Sequence, residues 1–273
     1  QRKGKSFMDK YLSVVKAWKS FQINSVAKLE QHLENFRILF AYHSGKIEND
    51  EINYHDTREI FERGRVSSFT GDPRTLFEQQ NQKICYNVLK EKIIAKEPIS
   101  LELIRETHHM LTNGTYDERR YINNGERPGE FKKHDYVTGR YEIGSPAEEV
   151  EADLAELIQE VNSSHTQQYL KAAAYFHANF ESIHPFADGN GRVGRTLTNY
   201  YLMIHDFPPF IVYEQDRKFY YEALEVFDTQ ENLDPLFQFF QYETEKTWEN
   251  TLRLMEKNNI PENELDTDEE LEL

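Results

Sequence analysis

The feature that most constrains this chain is a joint between two helices. From Gln167 to Ile183 apolar residues recur at Leu170, Ala174, Phe176, Phe180 and Ile183, close to a helical period. The next twelve residues, His184-Pro185-Phe186-Ala187-Asp188-Gly189-Asn190-Gly191-Arg192-Val193-Gly194-Arg195, end that helix and begin another. Pro185 disfavours helical backbone at His184, and Arg192 to His205 resumes a helical pattern. Phe186 is an expected buried anchor for the turn. Gly189 and Gly191 permit positive φ and a close approach of bare backbone to a ligand.

The remaining segments also read mostly as helix. Phe21–Phe40, Asp56–Arg63, Thr75–Ala95, Ser100–Leu111, Ser145–Val161, Phe219–Phe227 and Asp234–Leu254 carry apolar spacing or start and stop signals of that kind. Residues 131–143 differ. Tyr136, Val137, Thr138, Tyr141 and Ile143, with Gly139 near the middle, read as a short β-hairpin. The expectation is an all-α bundle carrying one small hairpin. It divides into an N-terminal helical region (1–74), a core (75–245) and a last helix end with an acidic tail (246–273). Met8, preceded by Gln1-Arg2-Lys3-Gly4-Lys5-Ser6-Phe7, is a candidate natural start.

The joint also has a chemistry of its own. The first N–H groups of a helix beginning near Gly191, together with its dipole, form an anion site. Arg192 and Arg195, three residues apart, share one face of that helix and suit a polyphosphate. Asp188 is placed to hold Mg²⁺, which needs only one or two carboxylates when substrate phosphates complete its shell. His184 is an available base at neutral pH. The formal net charge of −16 argues against nucleic acid as the main partner. Cys85 is the single cysteine, so no disulfide forms within the chain and a reducing, cytoplasmic setting fits. No apolar run has membrane-spanning length and no secretory pattern opens the chain, so no membrane partner is expected.

The twelve residues match at every fixed position the signature His-x-Phe-x-Asp-Gly-Asn-Gly-Arg-x-x-Arg, and the chain, over roughly residues 75–245, resembles the Fic-domain family. That resemblance implies a Fic-type helical bundle that moves the AMP part of ATP onto a Ser, Thr or Tyr hydroxyl of a target protein. It implies that His184 deprotonates the hydroxyl and that Asp188 binds Mg²⁺. It further implies that Gly189, Asn190, Gly191 and Arg192 grip the phosphates while Arg195 faces the γ-phosphate.

Ser44-Gly45-Lys46-Ile47-Glu48-Asn49 is similar to the family's inhibitory motif. The resemblance pairs Glu48 with Arg195, so that a carboxylate takes the place of a phosphate oxygen, with Ser44 and Asn49 as the other marked positions. By the same resemblance residues 131–143 form a flap along which the target docks. Nucleotide contacts then fall at Tyr136, Val137, Thr138 and Gly139, and the tyrosine pair Tyr220-Tyr221 borders adenine. Asp228 stands where some relatives carry an asparagine that touches adenine. Gly191 favours AMP transfer over kinase chemistry, since the death-on-curing kinases carry lysine there. Removal of AMP, another phosphoryl or nucleotidyl transfer, and a nucleotide-sensing binder without catalysis are the competing readings. Self-modification and a homodimer are expected only by family analogy. His108 and His109, adjacent on a helix, point apart and are expected to be packing residues.

Overall fold

A computed structural model describes residues 7–137, 144–163 and 168–258. Ten α-helices succeed one another among them: α1 Phe7–Ser20, α2 Val26–Glu48, α3 Tyr54–Arg63, α4 Pro73–Ile94, α5 Leu101–Thr112, α6 Val150–Ser163, α7 Tyr169–Ile183, α8 Asn190–Ile204, α9 Arg217–Gln230 and α10 Asp234–Asn258. A single π-helical turn, Arg119–Asn123, lies between α5 and α6. Local chemistry sets many of the boundaries. Ser25 and Ser100 accept the N–H of Lys28 and Leu103, and Asp72 caps α4 with Pro73 in its first turn. Gly64 closes α3 in the left-handed conformation.

The α7–α8 pair is the centre of the molecule. Phe176 and Phe180 of α7, and Leu197, Tyr200 and Tyr201 of α8, are fully buried. α8 is covered on nearly every side, by α4 and α5, by α2 and by α7. Its first turn is therefore fixed by the whole bundle rather than by one neighbour. α1, whose Tyr11, Val14, Val15 and Trp18 are buried, packs on α10. Trp248 of α10 meets Trp18 at 5.2 Å and stacks on Phe36 of α2 at 6.0 Å between ring centroids. α2 runs past Phe40 to Glu48, straight through Gly45. A Cβ at Gly45 would collide with Gln79 Nε2 and Ile52 Cδ1, so the glycine lets α2 pack closely against α4 there. Cys85 of α4 is buried in a small apolar crevice shared with Leu33 and Phe36 of α2.

The expected hairpin at residues 131–143 is not shown: the described residues contain no strand, and 131–137 run without one. Side chains and an unrelated loop take up the backbone groups that a ladder would have used. Lys132 N–H donates to the Pro185 carbonyl at 2.9 Å, and Lys133 N–H to the buried Glu126 carboxylate at 3.0 Å. The Ala147 N–H donates to Asp135 at 3.0 Å. Tyr136 and Val137 promise a strand only where a partner strand satisfies the backbone, and here the Pro185 carbonyl and the Glu126 carboxylate take up the Lys132 and Lys133 N–H groups instead. Thr138, Gly139, Tyr141 and Ile143 lie outside the described residues, as do residues 1–6 and most of the acidic tail. No helix among the described residues is long and apolar enough to cross a membrane.

Candidate active site

The joint between α7 and α8 opens on a cavity of about 1160 Å³. Pro185 cannot follow a helical residue without strain, and α7 ends with His184 in the left-handed region at φ 51°. A non-glycine residue holds that conformation only when its surroundings impose it. Here the His184 N–H still donates to Phe180 O at 3.1 Å, which ties it to the last turn. Burial, helped by the nearby Lys132 charge, pushes the His184 imidazole down to about 4 against the pull of Asp188 and Glu48. The ring is therefore unprotonated at neutral pH.

The turn that follows is braced from within. The Asn190 carboxamide accepts the Phe186 N–H at 2.9 Å and donates to the Phe186 carbonyl at 2.8 Å. Both ends of that side chain are spent on the loop, so Asn190 presents the cavity mainly with its backbone. Phe186 is fully buried and stacks on His108 with centroids 3.7 Å apart. His108 accepts the Gly129 N–H at Nδ1 (2.8 Å), so its proton sits on Nε2 and is donated to the Asp188 carbonyl at 2.9 Å. Burial holds this ring neutral, at about 3. His108 thus joins α5 to the loop, a role that its adjacency to His109 gave no hint of. Gly189, at φ 86°, caps α8 without any side-chain acceptor, which leaves the first N–H groups of the helix directed at the cavity.

Charge is concentrated at that helix start. Arg192 and Arg195 are both almost fully buried. Arg195 donates to Ser44 Oγ at 3.0 Å, to the Ser44 carbonyl at 2.9 Å and to Glu48 Oε1 at 2.8 Å. Burial opposes its charge, but Glu48 with the phenols of Tyr220 and Tyr221 more than compensates and raises its pKa. Among the described residues, Arg195 Nη1, Arg192 Nε and Glu181 Oε1 have no hydrogen-bond partner. Orphaned donors on two buried guanidinium groups are what a multiply charged anion would satisfy. Glu181, one turn before His184, is pushed by burial up to about 7, with Arg195 opposing, so it can donate or accept near neutrality.

Asp188 supplies one carboxylate. Burial acts to raise its pKa, yet Arg192, Arg74 and Arg120, with the Gly189 N–H, outweigh it and leave the group below its ordinary value. A single hard oxygen ligand that reaches the cavity suits Mg²⁺ carried with phosphates rather than a cage built by protein alone. Around it stand side chains that sequence patterns did not flag. Arg74 Nη2 donates to Asp188 Oδ2 at 3.0 Å, and Arg120 Nε to the Ala187 carbonyl at 3.1 Å. Glu78 accepts from Arg74, Arg192 and Asn49. Arg74 and Glu78 are an ordinary i,i+4 pair in sequence. Their importance lies in partners 114 residues away, which no local pattern encodes.

Another part of the lining is aromatic and acidic, with Tyr220, Tyr221, Leu224 and Asp228. Tyr220 is buried, its hydroxyl donating to His177 Nε2 at 2.7 Å while His177 Nδ1 donates to Thr198. That tautomer follows because the Thr198 proton goes to the Gly194 carbonyl at 2.7 Å. Tyr221 is half-exposed. Asp228 accepts from Ser182. Tyr136 and Val137 line the facing wall. The Tyr136 hydroxyl donates to Glu126 at 2.9 Å, and Val137 is exposed. The structure therefore brings together His184, Asp188, Gly189, Asn190, Gly191, Arg192, Arg195, Tyr136, Val137, Tyr220, Tyr221 and Glu48. Ser44 and Asn49 stand behind them on Arg195 and Glu78. Thr138 and Gly139 lie outside the described residues.

A family model described as the Fic/DOC family matches residues 98–202. The chain is 30% identical over 224 residues to protein adenylyltransferase fic-1 of Caenorhabditis elegans, covering 78% of this chain and 40% of that protein. It is also 30% identical over 215 residues to protein adenylyltransferase Fic of Drosophila persimilis, covering 76% of this chain and 39% of that protein. The chain thus spans about two fifths of the length of these curated relatives. Among solved structures, a Fic domain containing signaling protein from Bacteroides thetaiotaomicron superposes with a TM-score of 0.78 at 21% identity, covering 93% of this chain and 99% of that one. That likeness is one of fold.

Proposed function

The chain belongs to the Fic/DOC family, and from that premise we propose that it is a protein adenylyltransferase whose resting form is held inactive by Glu48. In the forward reaction a Ser, Thr or Tyr hydroxyl of a target protein gives its proton to the His184 imidazole. Its oxygen bonds to the α-phosphorus of ATP, the bond to the β-phosphate breaks, and pyrophosphate leaves. His184 suits the task because its imidazole is unprotonated at neutral pH and stands beside the first turn of α8. The N–H groups after Gly189, with Arg192 and Arg195, hold the phosphates and stabilise the charge that gathers on the leaving group. Asp188 would hold Mg²⁺, which would supply further neutralisation of phosphate charge. Tyr220 and Tyr221 border the adenine, and Tyr136 and Val137 form the wall opposite.

One observation carries the reading: two buried guanidinium groups with unfilled donor positions converge on an uncapped helix start beside a neutral histidine. The contact of Arg195 with Glu48 at 2.8 Å supports the inhibitory half. A carboxylate on that guanidinium takes the place of a terminal phosphate oxygen, so productive ATP binding requires Glu48 to leave.

The test is incubation of wild type, Glu48→Gly and His184→Ala with ATP labelled separately at the α and γ positions, in the presence of cell lysate. Expected is α-label, without γ-label, on protein hydroxyls, strongest with Glu48→Gly and absent with His184→Ala. Transfer of the γ-label instead, or no transfer by Glu48→Gly although it binds ATP, overturns the assignment.

A further inference from the structure

Asp188, the carboxylate of the α7–α8 loop, already has a cationic partner. Arg74 reaches it from the second residue of α4, with Nη2 3.0 Å from Asp188 Oδ2. The reach is deliberate in its construction. Asp72 caps α4 and accepts the Arg74 N–H at 2.9 Å, which fixes the backbone from which the side chain departs. Glu78, one turn on and almost fully buried, accepts from Arg74 Nε at 2.9 Å, so the guanidinium is held by two carboxylates at once. The other Asp188 oxygen accepts the Gly189 N–H at 2.7 Å, and the Arg192 guanidinium lies 3.7 Å from it. Both oxygens are thus committed to positive or hydrogen-bond-donating groups.

We propose that Arg74 is a tethered rival of the divalent cation: it neutralises Asp188 in the resting enzyme, excludes bare metal ions from that carboxylate, and yields only to a cation that arrives with nucleotide. The inference rests on the reading of Asp188 as the metal-holding carboxylate and adds to it a residue that sets when the metal is admitted. The physical basis is direct. A divalent ion on Asp188 Oδ2 would stand within a few ångströms of the guanidinium, in a site already crowded with Arg192 and Arg120. A metal ion alone must displace Arg74 against that repulsion. A metal–nucleotide complex brings phosphate charge that compensates Arg192 and Arg195 as it docks, so the same displacement becomes favourable. Glu78 makes the displacement reversible, because Arg74 can keep its Nε contact there while Nη2 swings away.

Glu78 also accepts Asn49 Nδ2 at 2.9 Å and Arg192 Nη1 at 3.3 Å. It therefore links the end of α2, where Glu48 sits, to the arginine that guards the metal side. Arg74 is a positioning residue in this scheme. It touches the metal-holding carboxylate and no reacting atom.

The experiment measures Mn²⁺ binding without nucleotide, by the loss of the free aquo-ion signal in electron paramagnetic resonance, on the full chain. Wild type, Arg74→Gln, Arg74→Lys and Asp188→Asn are compared, with Asp188→Asn also added to each Arg74 variant. Arg74→Gln removes the charge and is expected to bind Mn²⁺ about tenfold more tightly than wild type. Arg74→Lys keeps a charge but loses the fork that spans Asp188 and Glu78, and is expected to tighten binding by about threefold. Asp188→Asn is expected to abolish the binding. Should Arg74→Gln fail to fold, the Lys variant carries the test alone. If Asp188→Asn abolishes binding while the folded Arg74 variants match wild type or bind more weakly, the rival role is wrong and the metal reading of Asp188 stands. If adding Asp188→Asn to Arg74→Gln or to Arg74→Lys leaves Mn²⁺ binding unchanged, the metal reading itself fails and the role of Arg74 fails with it.

Discussion

Two walls of the same cavity are built on opposite principles. The loop from His184 to Arg195 is held by its own residues: Asn190 closes on the Phe186 backbone, Phe186 is buried, and His108 braces the Asp188 carbonyl. The wall from Glu126 to Val137 is tied to Pro185 and Ala147 at single points and gathers its remaining contacts on one buried carboxylate. Glu126 accepts both the Lys133 N–H and the Tyr136 hydroxyl, and Val137 beyond it is exposed. The first wall is braced at its turn by the local Asn190–Phe186 pair and from outside by His108 of α5, while Arg192 Nε and Arg195 Nη1 stay unfilled. The second is held by a hub whose removal would release several residues together. The difference suggests a division of labour, with fixed geometry where charge must be met and a more adaptable face opposite.

The contrast can be broken at its strongest point first. His184→Ala should lower AMP transfer by about a hundredfold to ten-thousandfold, measured as initial rate of α-label incorporation in a Glu48→Gly background. Val137→Ala on the other wall should stay within about threefold, the range of an exposed substitution. Stability should show the same asymmetry in urea titration. Asn190→Ala orphans a buried N–H and a buried carbonyl, and should cost about 2–4 kcal/mol. Glu126→Gln keeps one acceptor oxygen and should cost about 1–2 kcal/mol. Equal losses would mean that the two walls are held alike.

Smaller effects sharpen the picture. Glu48→Gly should tighten binding of a fluorescent ATP analogue by about tenfold, while Glu126→Gln leaves it nearly unchanged. The smallest expected change concerns pH. With the His184 pKa held near 4 by burial, lowering the pH keeps the imidazole neutral well below 6.5. The kcat/KM of Glu48→Gly should therefore fall by less than about twofold between about pH 7.5 and 5.5. An imidazole with its ordinary pKa would lose roughly tenfold over that range, so a steep acid limb near pH 6.5 would count against a buried His184.

Much of this molecule was legible in its residues, and the exceptions share a cause. α5, α7, α8 and α10 follow from apolar spacing, Ser100 as a cap and Pro185 as a stop, because those signals act within a turn or two. Apolar spacing carries α2 only to Phe40, whereas the helix runs on to Glu48 through Ser44-Gly45. The glycine is there for contact with Gln79, which only the packed structure reveals. α1 was passed over because lysines interleave its buried face of Tyr11, Val14, Val15 and Trp18, and the partner that covers it, α10, lies at the far end of the chain. The hairpin expectation rests mostly on residues beyond Val137, and among the described residues 131–137 no strand forms, because Glu126 and Pro185 take the Lys133 and Lys132 N–H groups. At the site, the residues of the contiguous signature lie together around the cavity. His108 packs as expected, on Phe186, while the roles of Arg74, Glu78 and Glu181 are not legible in sequence because their partners or their burial depend on the fold. Each is a common residue type on a helix, without a local pattern of its own.

Cys85 offers an unplanned witness to how α2 behaves. It is the chain's single thiol, raised in pKa by burial and sealed between α4 and the Leu33–Phe36 stretch of α2. Its alkylation rate therefore reports how often those two helices part. If Glu48 is freed by lifting α2 away as a body, conditions that activate the enzyme will also hasten labelling of the thiol. If only the last turn of α2 unwinds, the label will enter no faster, and activation and alkylation will be uncoupled.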